Sequence, residues 1–450
     1  LRYKVNNFDE LTLNQKLLVY YLSEAALEGR DILYDQNHKH NLTIRRLLEA
    51  VYENYAGDKE TADFKNLKIY LKQVWMGNGI HHHYSEDKFT PGFPEKFLSA
   101  AVNSIDSTLL PLMAGESVET FKARIFPVIF NPDLYKKRTN QEAGVDLIAT
   151  SANNFYEGVS QKEVEDFYAG MVDPADNTPV PYGLNSKMVK ENGKVVEKTY
   201  KIDGMYDAAI RRIVGWLEKA AEVVENEQQG AVIKSLIEYY QTGNLEKYDE
   251  YSILWLQDVN SQVDFVNGFT ESYTDPLGMK ATWEALVNFK DMEATKRTEI
   301  ISNNAQWFED HSPVDKQFKK EKVKGVSAKV ITAAILGGDC YPATPIGINL
   351  PNSNWIRRDY GSKSVTIENI TDAYDKASQG SGFMEEFIWS GEEIERAKEY
   401  GSLTNNLHTD LHECLGHGSG KLLPGVSPDA LKAYGSPIEE ARADLFGLYY

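Results

Sequence analysis

The segment His412-Glu413-Cys414-Leu415-Gly416-His417 constrains this 450-residue chain more tightly than any other stretch. It places two imidazoles and one carboxylate within a single short helix-forming run. That is the donor set of a zinc hydrolase: two neutral nitrogen ligands for the metal, and a carboxylate able to take a proton from water activated there. The common form of this pattern spaces the histidines at i and i+4, whereas here they stand at i and i+5. Five residues of a regular α-helix turn through about 500°, which leaves the second ring roughly 140° from the first. Rings so far apart cannot hold one ion. The spacing therefore predicts a locally widened, π-type turn, with Gly416 as the residue that tolerates the distortion.

Two histidines leave a zinc site short of a third protein ligand. Downstream lies Ser436-Pro437-Ile438-Glu439-Glu440-Ala441-Arg442-Ala443-Asp444. Ser436 is a good N-cap, Pro437 suits the first helical position and Glu439 stands three residues after the cap, so a second helix is predicted to begin there. Glu440 is the expected third ligand for one zinc per chain. Asp444, one turn further on the same face, can accept the free N–H of a ligating histidine and fix its tautomer. Glu439 can do the same, or simply complete the capping box.

Other histidines compete less well. His81-His82-His83 point in different directions on a helix or a strand alike, so the cluster reads as a polar loop rather than a metal site. His408 stands four residues before His412 and could serve as a rival ligand, but Thr409 rather than a glutamate follows it.

Lys plus Arg number 48 and Asp plus Glu 67, a net charge of −19. That balance argues against nucleic-acid or anionic-membrane partners, which need a basic face. No apolar run approaches the length of a membrane span. The only cysteines are Cys340 and Cys414, the second lying between the expected ligands, so nothing calls for a disulfide or an oxidising compartment. A cytoplasmic enzyme is expected. Leu1 is not an initiator and Tyr450 falls inside a helical pattern, which reads as a fragment of a longer protein.

The first third reads as helical, with Leu17, Leu18, Tyr21, Leu22 and Ala25, and then Leu47, Leu48, Val51 and Tyr55, at helix spacing. Residues 187–201 suggest a hairpin turning at Asn192-Gly193, and 205–250 return to helix. Ala328–Leu336 suggests a buried strand ended by Gly337-Gly338, and Gly347–Leu350 another ended by Pro351. Helix resumes from about Met384 to Tyr400 and again through the histidine motif. The expected fold is α+β and mostly helical, with a small strand core before the metal site.

Taken in order, four motifs resemble the dipeptidyl peptidase III family. They are Glu271-Ser272-Tyr273-Thr274-Asp275-Pro276, Gly347-Ile348-Asn349-Leu350-Pro351-Asn352, the histidine hexapeptide continuing to Gly418-Ser419-Gly420-Lys421, and Glu439-Glu440-Ala441-Arg442-Ala443-Asp444. The resemblance implies two lobes across a wide cleft. The lower would be mixed with a small β-barrel (1–291 plus 330–383), and the upper helical and zinc-bearing (292–329 plus 384–450). It also implies that Tyr273 hydrogen-bonds the scissile carbonyl and that Glu271, Asn349 and Asn352 capture the substrate's amino terminus. Without the resemblance these last three read as surface or turn residues.

The implied function is a zinc exopeptidase releasing dipeptides from oligopeptides. Zinc would be held by His412, His417 and Glu440, with Glu413 as general base and Tyr273 as donor to the oxyanion. The segment Gly347, Ile348, Asn349, Leu350 would bind the peptide along an exposed strand edge. Family residues beyond Tyr450 have no counterpart here. Two rival classes are an endopeptidase or aminopeptidase, which would lack the amine trap, and a zinc-dependent peptide-binding protein, which would not need Glu413.

Overall fold

A computed structural model describes residues 3–323, 327–378, 380–426, 431 and 434–450. The amino-terminal third is helical, as its periodicity predicts. Helix Leu13–Glu28 starts from a capping box in which Thr12 and Gln15 satisfy each other's backbone N–H groups. Helices Asn41–Asn54, Ala62–Met76, Glu95–Asn103 and Val118–Phe130 close round a core of their own, centred on Leu47, Leu67, Tyr70, Leu98 and Phe121. Helices Asp207–Ala221, Glu227–Thr242 and Leu245–Gln257 join Leu13–Glu28 in a second and larger core, against the main sheet.

A three-stranded sheet pairs β1 (Tyr156–Glu157) with β2 (Ser186–Glu191) and β3 (Lys194–Thr199). The β2–β3 hairpin turns at Asn192 and Gly193, both at positive φ, which is what a two-residue primed turn demands. The main sheet has β4 (Val263–Glu271), β5 (Thr282–Lys290), β6 (Ser327–Gly338), β7 (Gly347–Leu350) and β8 (Lys363–Ile367), in the order β4-β5-β6-β8-β7. Within this sheet, among the described residues, only the β6–β8 pairing is parallel.

This sheet is strongly coiled. Lys363 on β8 and Asp264 on β4 are not on neighbouring strands, yet their charged atoms meet at 2.9 Å in the interior. Asn352, just past β7, donates to Thr270 O and to Glu271 Oε2 at the end of β4. The barrel implied by the family resemblance is therefore an open one: among the described residues no ladder joins β7 to β4. Among the described residues the outer edge of β7 stays unpaired. No described helix is long and apolar enough to cross a membrane.

Beyond the sheet, helices Met292–Asn303, Ala305–His311, Gly391–Leu411 and Gly435–Tyr449 enclose a small core of Ile301, Ala305, Cys414 and Leu415. The Arg297–Asp410 ion pair, 2.7 Å with Asp410 buried, ties the first of these helices to the third. Buried Glu309 accepts the backbone N–H groups of Lys320 and Gly420, clamping the chain just past the histidine motif.

Candidate active site

The widened turn is present. His412–Gly416 is one turn of π-helix, and His417 N–H donates to His412 O at 3.0 Å, five residues back. The two rings meet edge to face with centroids 4.7 Å apart. Gly416 has a different reason from the one expected. It does not enter the left-handed region, and a Cβ there would lie 2.6–2.8 Å from Cα, Cβ and O of Ala443. The glycine lets helix Gly435–Tyr449 approach, and that approach delivers the next carboxylate.

Glu440 comes from this helix. Its Oε2 stands 3.3 Å from His412 Nε2 and 3.6 Å from His417 Nε2. A tetrahedral zinc with bonds of about 2.0–2.2 Å needs donor atoms about 3.3–3.6 Å apart, so these residues fit the ion. The helix begins at Gly435 with Tyr434 before it, so Ser436 and Pro437 lie two positions deeper than the capping pattern predicts.

The far nitrogens of both rings are held. His412 Nδ1 lies 2.9 Å from Asp444 Oδ1, and His417 Nδ1 3.0 Å from Glu439 Oε1. These bonds leave each Nε2 as the free donor. Arg442 donates to both oxygens of Glu439 and to Gly416 O, so one guanidinium fixes the carboxylate and the end of the π-turn together. Hydrogen bonds from His412 and His408 hold the Asp444 carboxyl below its usual range. Burial pushes Glu439 up, but hydrogen bonds from Arg442 and His417 outweigh it and leave the carboxyl low.

The Glu413 carboxylate reaches the sheet. Its Oε1 lies 3.8 Å from where a Cβ on Gly347 would stand, so the carboxylate abuts the first residue of β7. Gly347, Ile348 and Asn349 in turn line an open cavity of about 550 Å³, with Glu271, Tyr273, Glu284 and Asp339. The cavity is acidic. Burial, with Glu271 and Asp339 nearby, pushes the Glu284 carboxyl up to about 8, and burial also raises Glu271.

The expected substrate residues are distributed around this cavity. Asn352 Nδ2 donates to Glu271 at 3.0 Å, while its amide oxygen faces Arg357. Asn349 Nδ2 donates to Ser364, leaving its oxygen without a partner. Leu350 is buried in the core, where it anchors β7. Tyr273 is exposed, and its hydroxyl donates to Asp339 Oδ2 at 3.0 Å rather than turning to the metal donors. Asp339 and Glu284 escaped the sequence reading. Their signals were faint: a carboxylate inside the apolar run Trp283–Val287, and one directly after Gly337-Gly338.

The triple histidine does not converge. His81 is buried with Nε2 2.7 Å from Tyr135 O, and burial lowers it to about 4. His82 Nδ1 accepts the N–H groups of Tyr84 and Ser85, and His83 lines the acidic cavity.

Comparison with known proteins gives the family. The family model "Peptidase family M49" matches residues 178–433. The chain is 24% identical to "Dipeptidyl peptidase 3" of Dictyostelium discoideum over 99% of its own length and 70% of that protein's. It is 24% identical to the Homo sapiens protein of the same name, over 92% of this chain and 59% of the relative. The solved DPP III structure from Caldithrix abyssi superposes with a TM-score of 0.71 at 21% identity, covering 98% of this chain and 71% of the other. That from Corallococcus sp. strain EGB gives 0.64 at 20%, covering 100% and 71%. The family match spans more than half of the sequence, and with these relatives it settles the classification: the chain belongs to peptidase family M49, the dipeptidyl peptidase III family, and is a metallopeptidase.

Proposed function

We propose that the chain is the zinc-dependent part of an exopeptidase that releases dipeptides from the free amino terminus of oligopeptides. One observation carries the reading: Glu413 stands between two negative sites, with metal-spaced donors on one side and Gly347 of the acidic, strand-edged cavity on the other.

His412, His417 and Glu440 would hold one zinc, with Asp444 and Glu439 orienting the rings. Bound there, the ion supplies Lewis acidity to the attacking water and the scissile carbonyl. Glu413 takes the proton from that water and returns it to the leaving nitrogen. The peptide adds to the free edge of β7, at Gly347, Ile348 and Leu350, through its backbone. Its ammonium group is drawn to Glu271, and the free oxygen of Asn349 and the Asn352 amide complete the capture. Tyr273 must release Asp339 to donate to the oxyanion. A division into a lower lobe (1–291 plus 330–383) and an upper lobe (292–329 plus 384–450) is supported by the separate cores of the main sheet and of the histidine-bearing helices. Both cysteines are free and buried, which supports a cytoplasmic setting.

The test is metal analysis of the full-length protein with product mapping on an unblocked and an acetylated oligopeptide. One zinc per chain and dipeptides as the sole early products are expected. Efficient internal cleavage of the acetylated peptide would replace the exopeptidase reading with an endopeptidase.

A further inference from the structure

His412 is shared by two groups of donors. On one side of its ring stands Glu440. On the other stands Asp444, whose Oδ1 is 2.9 Å from His412 Nδ1 and 3.2 Å from His408 Nε2. His408 and His412 lie four residues apart, one helical turn, so their rings share a face of the helix. One donor atom each from His408, His412 and Asp444 falls within a 4.8 Å cluster, as it does for His412, His417 and Glu440. The His408 ring is also fixed in place. Its Nδ1 is shielded and without a hydrogen-bond partner, and a Cβ on Gly447 would stand 2.9 Å from it. Among the described residues nothing on that side bonds the ring, and Nε2 is left facing Asp444.

We propose that His408, Asp444 and Nδ1 of His412 form a second, weaker site for a divalent transition-metal cation such as Zn2+ or Cu2+, antagonistic to the catalytic one. Two imidazoles spaced i, i+4 on a helix with a carboxylate from a neighbouring helix suit such ions. The site goes beyond dipeptide release and rests on the reading that His412 Nε2 ligates the catalytic metal. Filling it costs one proton, the one His412 Nδ1 shares with Asp444, which passes to solvent. His408 binds through Nε2 with its own proton moved to Nδ1, where no acceptor waits. Both requirements make the site weaker than the first. Occupancy removes the Asp444 hydrogen bond that orients His412, so excess metal slows turnover.

The test is a titration of metal-free full-length protein with Zn2+ by calorimetry, in two buffers of different ionisation heat to count protons. Wild type should show a tight step and a second step at least a hundredfold weaker. His408→Gln and His408→Asn should keep the tight step and lose the weak one. Glu440→Gln should lose the tight step and keep the weak one. In turnover assays, the Zn2+ concentration that halves activity should rise at least tenfold in His408→Gln. A single step in wild type, or an unchanged weak step in both His408 variants, overturns the proposal while leaving the catalytic reading intact. Loss of the tight step in both His408 variants with its retention in Glu440→Gln would reverse the two sites and overturn it as well.

Discussion

The two negative sites facing each other across Glu413 are built on opposite principles. On the helical side every outer carboxylate has a partner: Asp444 holds two imidazoles, and Glu439 holds His417 and Arg442. Those bonds keep both carboxyls low and ionised. On the sheet side carboxylates crowd together, and burial with mutual repulsion drives Glu284 up to about 8. A rigid, fully partnered cage suits a dication that must sit in one place. A strained acidic pocket suits a guest that brings one positive charge and leaves again. The difference teaches that negative charge alone does not define a site; how its neighbours compensate it does.

Glu413→Gln is the most severe way to separate the two sides. It should keep zinc and lose turnover by roughly 10²–10⁴-fold, the usual worth of a positioned acid–base group. Retained activity with full metal occupancy would remove Glu413 from the mechanism. Gly416→Ala attacks the helical side alone. Its Cβ meets Ala443, and overpacking of this kind costs about 1–3 kcal/mol. Melting of the zinc-loaded protein should show the loss together with weaker zinc binding, and a variant as stable as wild type would mean the helices separate freely. Glu271→Gln attacks the sheet side. It should lower kcat/KM roughly tenfold for peptides with a free amino terminus and leave acetylated ones nearly unchanged. Equal losses on both substrates would make Glu271 merely a prop for its own loop.

The mildest test sharpens the electrostatic contrast. The Glu284 carboxyl, raised by burial to about 8, stays protonated in the folded protein where the unfolded chain has released the proton. Its contribution to stability is whole below the unfolded value and drains away as pH rises through about 8. Glu284→Gln, which cannot ionise, should therefore gain in Tm over wild type steadily between pH 5 and pH 8. A gap independent of pH would show that Glu284 titrates normally.

The helical side was legible because its information is local. Six residues with one odd spacing dictate a π-turn, and nine more carry the third donor and both orienting carboxylates. What failed there was long-range: the reason for Gly416 lies in Ala443, 27 positions away in sequence and absent from any periodicity. The sheet side was mostly illegible. β4 and β5 are buried on both faces and carry no alternation to read, with Asn267-Gly268 interrupting the first. Asp339 meets Tyr273 and Thr282 only because β5 and β6 pair, a register fixed by tertiary packing. The family motifs marked Glu271, Asn349 and Asn352, but not the carboxylates that surround them.

The short strand β7 has a consequence for product length. Asn349, with its free oxygen, and Gly347, against Glu413, are two residues apart on one strand. Strand geometry advances about 3.3 Å per residue, so the two marks are about 6.6 Å apart. A peptide laid along that edge carries the same graduations. On the proposed reading, a peptide with its first nitrogen held at one mark would place its second peptide bond at the other, whatever its side chains are. On that reading the strand would work as a ruler that measures backbone and is blind to sequence.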